Sequence, residues 1–230
     1  MKLLSNGTTN AKTSKNAIKT FILYFAPYTK NSKGINLCPK ASAGCAAACL
    51  DTSGMGIFPN VQNARIAKAD YYVENKEAFI QQLAKEILTK HRTAVKRGEK
   101  IAFRLNGTSD VDFIYLLKKY AGLDISTLSN AVFYDYTKIL GKALKYKGHH
   151  NYTVTFSRAE DNENDVQKAI ENGINVAAVF SGQLPSTWAG VPVIDGDKSD
   201  LEMIGKEGVI LGLVAKGKAK KDKSNFVIHN

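Results

Sequence analysis

The sequence predicts an α/β protein built on a parallel sheet, in the form of an incomplete or curved (β/α) barrel of about seven strands. Three observations lead there. Short apolar runs rich in β-branched and aromatic residues alternate with amphipathic helical stretches. The segments between successive runs are long enough for right-handed β-α-β crossovers. Polar clusters follow the end of nearly every predicted strand, which is where parallel β/α folds build their sites.

Residues 1–16 are rich in Asn, Thr, Ser and Lys and read as a polar N-terminal arm, with residues 17–230 forming a single β/α domain. The run TFILYFA at 20–26 reads as a buried strand stopped by Pro27. A cysteine-bearing loop follows over 36–56. Pro59 suits the first turn of a helix that continues through Tyr71. Residues 76–96 are the clearest helix, because Phe79, Leu83 and Ile87 recur on one face, and Gly98 ends it. Strands are then expected at 101–105, 131–135, 152–156, 176–180, 191–194 and 209–214, with helices at 111–120, 139–146 and 164–172.

The chain of 230 residues has ordinary apolar and charged fractions and is long enough for one large domain or two small ones. The opening MKLLSNGTTN lacks a long apolar run, and no later stretch is long enough to span a bilayer, so no signal peptide and no membrane partner are expected. An odd cysteine count in such a chain favours reduced thiols and a cytoplasmic location.

The formal charge of +11 is concentrated in three places. Lys2, Lys12, Lys15, Lys19, Lys30 and Lys33 precede the cysteine loop. Lys90, Arg92, Lys96, Arg97 and Lys100 end the long helix, and Lys216, Lys218, Lys220, Lys221 and Lys223 lie near the C-terminus. Clusters of this kind bind nucleic acid or an anionic cofactor, or are simply solvated.

All three cysteines lie within twelve positions, Cys38, Cys45 and Cys49, in a C-x6-C-x3-C spacing. Ser42 can cap a short helix through the Ala/Gly-rich stretch, and a four-residue step then sets Cys45 and Cys49 on one helical face, with Cys38 approaching from the preceding loop. Small neighbours leave room for a metal centre, an iron–sulfur cluster ahead of zinc. Three thiolates are one short of a closed site. Either His91, His149, His150 or His229 completes the shell, or one corner stays open to a small-molecule ligand. The alternative is that the thiols pack as small apolar groups.

The polar groups at the strand ends give a second set of candidates. Asn106, Ser109 and Asp110 follow one strand, Asp135 and Lys138 the next, then Ser157, then Asp195 and Asp197. These are expected to bind a polar ligand below the cysteine loop. Asp135 and Lys138 can instead pair with each other, and the acids at 195, 197 and 200 can be a turn and a helix cap. Tyr134 and Tyr136 flank Asp135 and point to the opposite side of the strand.

The motifs NLCPKASAGCAAACL, RLNGTSD, FYDYTK, TFS, DGDKSD and LGLVAKG, in that order, resemble the gene-product-eighty-eight-like proteins of phages and bacteria over residues 16–217. If phage-encoded, the protein would act in the cytoplasm of a bacterial host. More remotely, a cysteine triplet after the first strand of a β/α barrel is similar to the radical S-adenosylmethionine enzymes. That resemblance implies a [4Fe-4S] cluster on Cys38, Cys45 and Cys49 with an open iron, and S-adenosylmethionine as a candidate cofactor. The spacing departs from the C-x3-C-x2-C of that class, and Asn106 to Asp110 stand where it carries a Gly-Gly-Glu-like segment.

Three functions are consistent with this reading. The first is an iron–sulfur protein of redox or radical type with an unknown substrate. The second is a nucleic-acid-binding protein with a structural metal, its affinity supplied by the lysines. The third is an electron-transfer or cluster-carrier protein.

Overall fold

The computed structural model describes residues 1–7 and 18–229, and its ten strands and six α-helices fall into two compact units. Of the stretch read as an N-terminal arm, residues 8–17 lie outside the described residues, while Leu4–Asn6 form a strand, β1. Met1–Pro39, Phe58–Tyr134 and His150–Tyr152 make up the first unit and the remainder the second.

In the first unit β1 pairs antiparallel with β2 (Lys19–Leu23), which lies parallel to β3 (Ile101–Arg104), itself parallel to β4 (Ala131–Thr137), whose first four residues belong to this unit. The registers bring Phe21, Phe103 and Phe133 into one row across three strands, with ring centroids 5.8 and 5.0 Å apart. Cross-strand aromatic pairs of this kind each add roughly 0.5–1.5 kcal/mol beyond the area they bury.

Three helices complete the unit. α2 (Pro59–Glu74) starts with its proline in the first turn, where no N–H is needed. Asn75 closes α2 and opens α3 (Lys76–Lys96), which buries Phe79, Ile80, Leu83, Ala84 and Ile87 and is followed by Gly98 at φ +66°. α4 (Phe113–Ala121) is capped by Asp112, which accepts the Tyr115 N–H at 3.2 Å. Phe25, Tyr72, Phe79 and Phe113 pack together, their centroids 5.3–5.9 Å apart.

The second unit holds α1 (Ala43–Ala47), the end of β4, α5 (Leu140–Lys145), β5 (Tyr152–Ser157) from Thr153 on, and α6 (Glu163–Glu171). β6 (Val176–Phe180) lies between β5 and β9 (Ile210–Val214), parallel to both. β8 (Val191–Asp195) runs parallel to β9 on its outer side and pairs antiparallel with β7 (Thr187–Trp188) at the edge. β10 (Val227–Ile228) adds to Val179 and Phe180 of β6, just beyond the residues that β5 occupies.

The largely parallel α/β sheet is as expected, with ten strands among the described residues rather than about seven, and it is not closed into a barrel. Closure requires the first and last strands to pair. Here the strand path ends at β1 and at β7, each joined antiparallel to a single neighbour, so the largely parallel sheet is open. The three strands not expected, β1, β7 and β10, are two or three residues long and too short to show a period. No helix among the described residues is long and apolar enough to cross a membrane.

Candidate functional site

The cysteine loop folds locally as its residues suggest, but not into a metal centre. Ser42 caps α1, its Oγ accepting the Cys45 N–H at 3.1 Å. The helix then stops at Ala47, with Ala48 as its cap, and Cys49 sits outside it at φ −54°, ψ 142°. The four-residue step therefore does not stack the two thiols along a helical face. Cys38 belongs to the first unit, where its Sγ donates to the Thr108 carbonyl at 3.6 Å. Burial pushes the Cys49 thiol up to about 12, a backbone hydrogen bond at Asp51 opposing this and the Asp51 charge adding to it. Such a thiol stays protonated at neutral pH in the metal-free protein.

Among the described residues no three His, Cys, Asp or Glu side chains form a group that could hold a metal ion. The iron–sulfur reading, with Cys38, Cys45 and Cys49 as ligands and redox, radical or carrier chemistry as its consequence, is overturned by that arrangement.

The strand-end residues largely hold their own loops. In the first unit Asn106 closes the turn after β3: its Nδ2 donates to the Val111 carbonyl at 2.9 Å, while its Oδ1 accepts the Val111 N–H at 2.8 Å and the Ser109 hydroxyl at 3.0 Å. Gly107 lies so close to Tyr24 that a Cβ there would come within 2.5 Å of its ring. The Asp110 N–H donates to the Leu37 carbonyl at 2.8 Å, which ties this turn to the segment bearing Cys38.

In the second unit Asp195 accepts the Asp197 N–H at 2.9 Å, and Asp197 in turn accepts the Val214 N–H at 2.9 Å and pairs with Lys216 at 2.7 Å. Asp200 accepts the Tyr136 hydroxyl at 3.1 Å. Ser157 receives Asn162 Nδ2 on its carbonyl at 3.0 Å. Asp135 is buried at the end of β4, and Lys138 lies over the Phe226 ring at 5.6 Å. The structure thus joins Asn106 to Ser109 and Asp195 to Asp197, each pair within its own turn.

A different assembly in the second unit has no counterpart among the sequence candidates. Glu160, in the loop after β5, accepts the Ser42 hydroxyl at 2.7 Å and the Gly44 N–H at 2.6 Å. Burial would raise its carboxyl, but these hydrogen bonds hold it below the usual range. Arg158 donates through Nη1 to the carbonyls of Asn225 and Phe226, the latter at 2.9 Å. Asp222 accepts the Ser224 hydroxyl at 2.6 Å and the Val227 N–H at 3.0 Å; burial again opposes and hydrogen bonding wins, so its carboxyl is held low. Glu160 and Arg158 reach partners 116–118 and 67–68 positions away, which is why no local pattern announces them.

This assembly fixes a basic turn. A 3-10 helix over Gly217–Lys221 places Ala219 in a small apolar cluster with Ala215 and Val227, against which Ala48, Val179 and Phe226 pack. Lys218, Lys220, Lys221 and Lys223 are exposed around that anchor and form no ion pair among the described residues, whereas Lys216 is held by Asp197. Beside the same turn runs the 50–57 segment, where Leu50, Met55 and Ile57 are exposed and where Ser53 Cβ lies 3.0 Å from the position of a Cβ on Gly217.

No curated protein and no solved structure matches this chain. The remote similarity to radical S-adenosylmethionine enzymes thus finds no support, and among the described residues no three His, Cys, Asp or Glu side chains form a metal-holding group. A family model described as gene product 88 matches residues 2–230, nearly the whole sequence, and the chain belongs to the gene product 88 family.

Proposed function

We propose that this protein binds nucleic acid by its phosphate backbone, through the lysine-bearing turn at Gly217–Lys221 and the residues that follow it. The observation that carries the reading is the anchoring of that turn. Ala219 is buried, and Asp222 and Arg158 hold the following segment, so four exposed lysines are held in place at the surface rather than strung along a loose tail. A net charge of +11 adds long-range attraction for a polyanion. No aromatic residue interleaves these lysines between positions 216 and 223, which favours contact to backbone, largely independent of sequence.

The test is fluorescence anisotropy with labelled single-stranded DNA and RNA over a series of salt concentrations. Four phosphate contacts correspond to a slope of about −3 in log K against log salt on single strands. Replacing Lys218, Lys220, Lys221 and Lys223 together by Gln should flatten most of that slope. Absence of binding at low salt, or an unchanged slope in the variant, would overturn the assignment.

A further inference from the structure

We propose that the groove between the N-terminal residues and α3 in the first unit is an oxyanion site that takes a phosphate or phosphate-ester group. It lies apart in sequence from the lysine turn and does not depend on the reading above. The hollow measures about 380 Å³ and is lined by Lys2, Gln82, Lys85, Glu86, Thr89 and Lys90.

Its one carboxylate is already engaged. Glu86 accepts the Leu3 N–H on one oxygen and the Leu4 N–H on the other, both at 2.9 Å, and Gln82 Nε2 donates to it at 3.2 Å and to the Met1 carbonyl at 2.5 Å. These bonds pin the chain on either side of Lys2 against α3. The Thr89 hydroxyl donates to the Lys85 carbonyl at 2.8 Å. Lys90 is placed by Phe21, with its Nζ 4.8 Å from the ring centroid. Lys2, Lys85 and Lys90 form no ion pair among the described residues.

Three lysines therefore line a hollow whose single carboxylate is occupied by backbone donors. Lys68, buried on α2, senses the same surroundings: burial lowers its pKa, Arg65 and Lys2 lower it further, and Glu86 opposes them. A carboxylate ligand offers two acceptor oxygens, whereas a phosphate group offers three or more and a higher charge, which suits several lysines acting as point charges. The fold draws Lys2 and Lys90 together from two basic stretches that are far apart in sequence.

The experiment is a titration of the full chain with inorganic pyrophosphate and, separately, with a short single-stranded oligonucleotide, read from the backbone amide resonances of Leu3, Leu4, Gln82 and Glu86. Saturable shifts with pyrophosphate, weakened about tenfold by Lys85→Gln, are expected. Shifts with the oligonucleotide alone would equally support the site and name a nucleic-acid backbone as the source of the phosphate. Shifts that sodium chloride reproduces at equal ionic strength, or that Lys85→Gln leaves unaltered, would overturn it. The fourfold Gln variant at residues 218–223 should bind pyrophosphate here as well as the parent does, so failure of one site is distinguishable from failure of the other.

Discussion

The carboxylate of Glu160 accepts the backbone N–H of Gly44 at 2.6 Å, and its second oxygen accepts the hydroxyl of the residue that caps the same helix, Ser42. A helix of five residues leaves most of its N-terminal donors unsatisfied, and here a side chain from over a hundred positions away supplies the acceptor. Because the folded carboxyl is held below its ordinary value, its contribution is fully present above that value and is lost as pH falls through the folded pKa. Glu160→Gln should therefore destabilise the protein by about 1–3 kcal/mol at neutral pH. Thermal unfolding followed from pH 7 into the acid range should show the gap between variant and parent narrowing as pH falls. A gap that is constant with pH would mean that the charge of Glu160 contributes nothing.

Gly44 itself supports an inverted expectation. Inside a helix, Gly→Ala ordinarily stabilises by about 1 kcal/mol. At this position an added Cβ would collide with Ser224 Oγ and come within 2.7 Å of Phe226 Cβ and 2.9 Å of a Glu160 oxygen. Gly44→Ala should thus destabilise by roughly 1–3 kcal/mol, the range for overpacking a close contact. Urea unfolding decides the sign, and a stabilised variant would show that residues 224–226 do not pack on α1.

Cys49 should be the slow thiol of the chain. A value of about 12 against the ordinary 9.0 lowers the thiolate fraction about a thousandfold, and the thiolate is the reactive species. Alkylation with iodoacetamide at neutral pH, quantified on the peptide that carries Cys49, is expected to run at least about a hundredfold slower in the folded than in the denatured protein. Equal rates in the two states would mean that the loop opens freely.

What the sequence makes legible, and what it does not, follows the range of the forces involved. α3 spans the residues that the Phe79, Leu83, Ile87 repeat marks, and Gly98 stops it with a positive φ, because both signals are local. Ser42 caps α1 as its side-chain chemistry suggests. The place of Cys49 fails for a reason three residues wide: the helix ends at Ala47, and a spacing argument assumes it continues. Openness of the sheet is decided at β1 and β7, where antiparallel edge pairs of two or three residues carry no periodic pattern. Asn106, Ser109, Asp195 and Asp197 are unusual in the sequence because tight turns need them, and their side chains are engaged in making those turns. The Glu160 and Arg158 contacts are long-range and have no local signature at all.

Arg158 links that assembly to the proposed interface. Its guanidinium holds the carbonyls of Asn225 and Phe226, and Glu163 lies 3.8 Å from its Nε. Lysine has the charge but not the rigid plane that aims Nη1 at both carbonyls while Nε faces Glu163. Arg158→Lys should loosen residues 222–228 while leaving the number of basic groups unchanged. Amide exchange at Val227 is then expected to quicken, and oligonucleotide affinity to fall several-fold with little change in salt slope, since the slope counts phosphate contacts and the affinity also reflects how well the lysines are pre-positioned. Faster exchange with full affinity would show that the lysines bind equally well from a loosened segment. Unchanged exchange would show that β10 and Asp222 hold the C-terminal segment without the arginine.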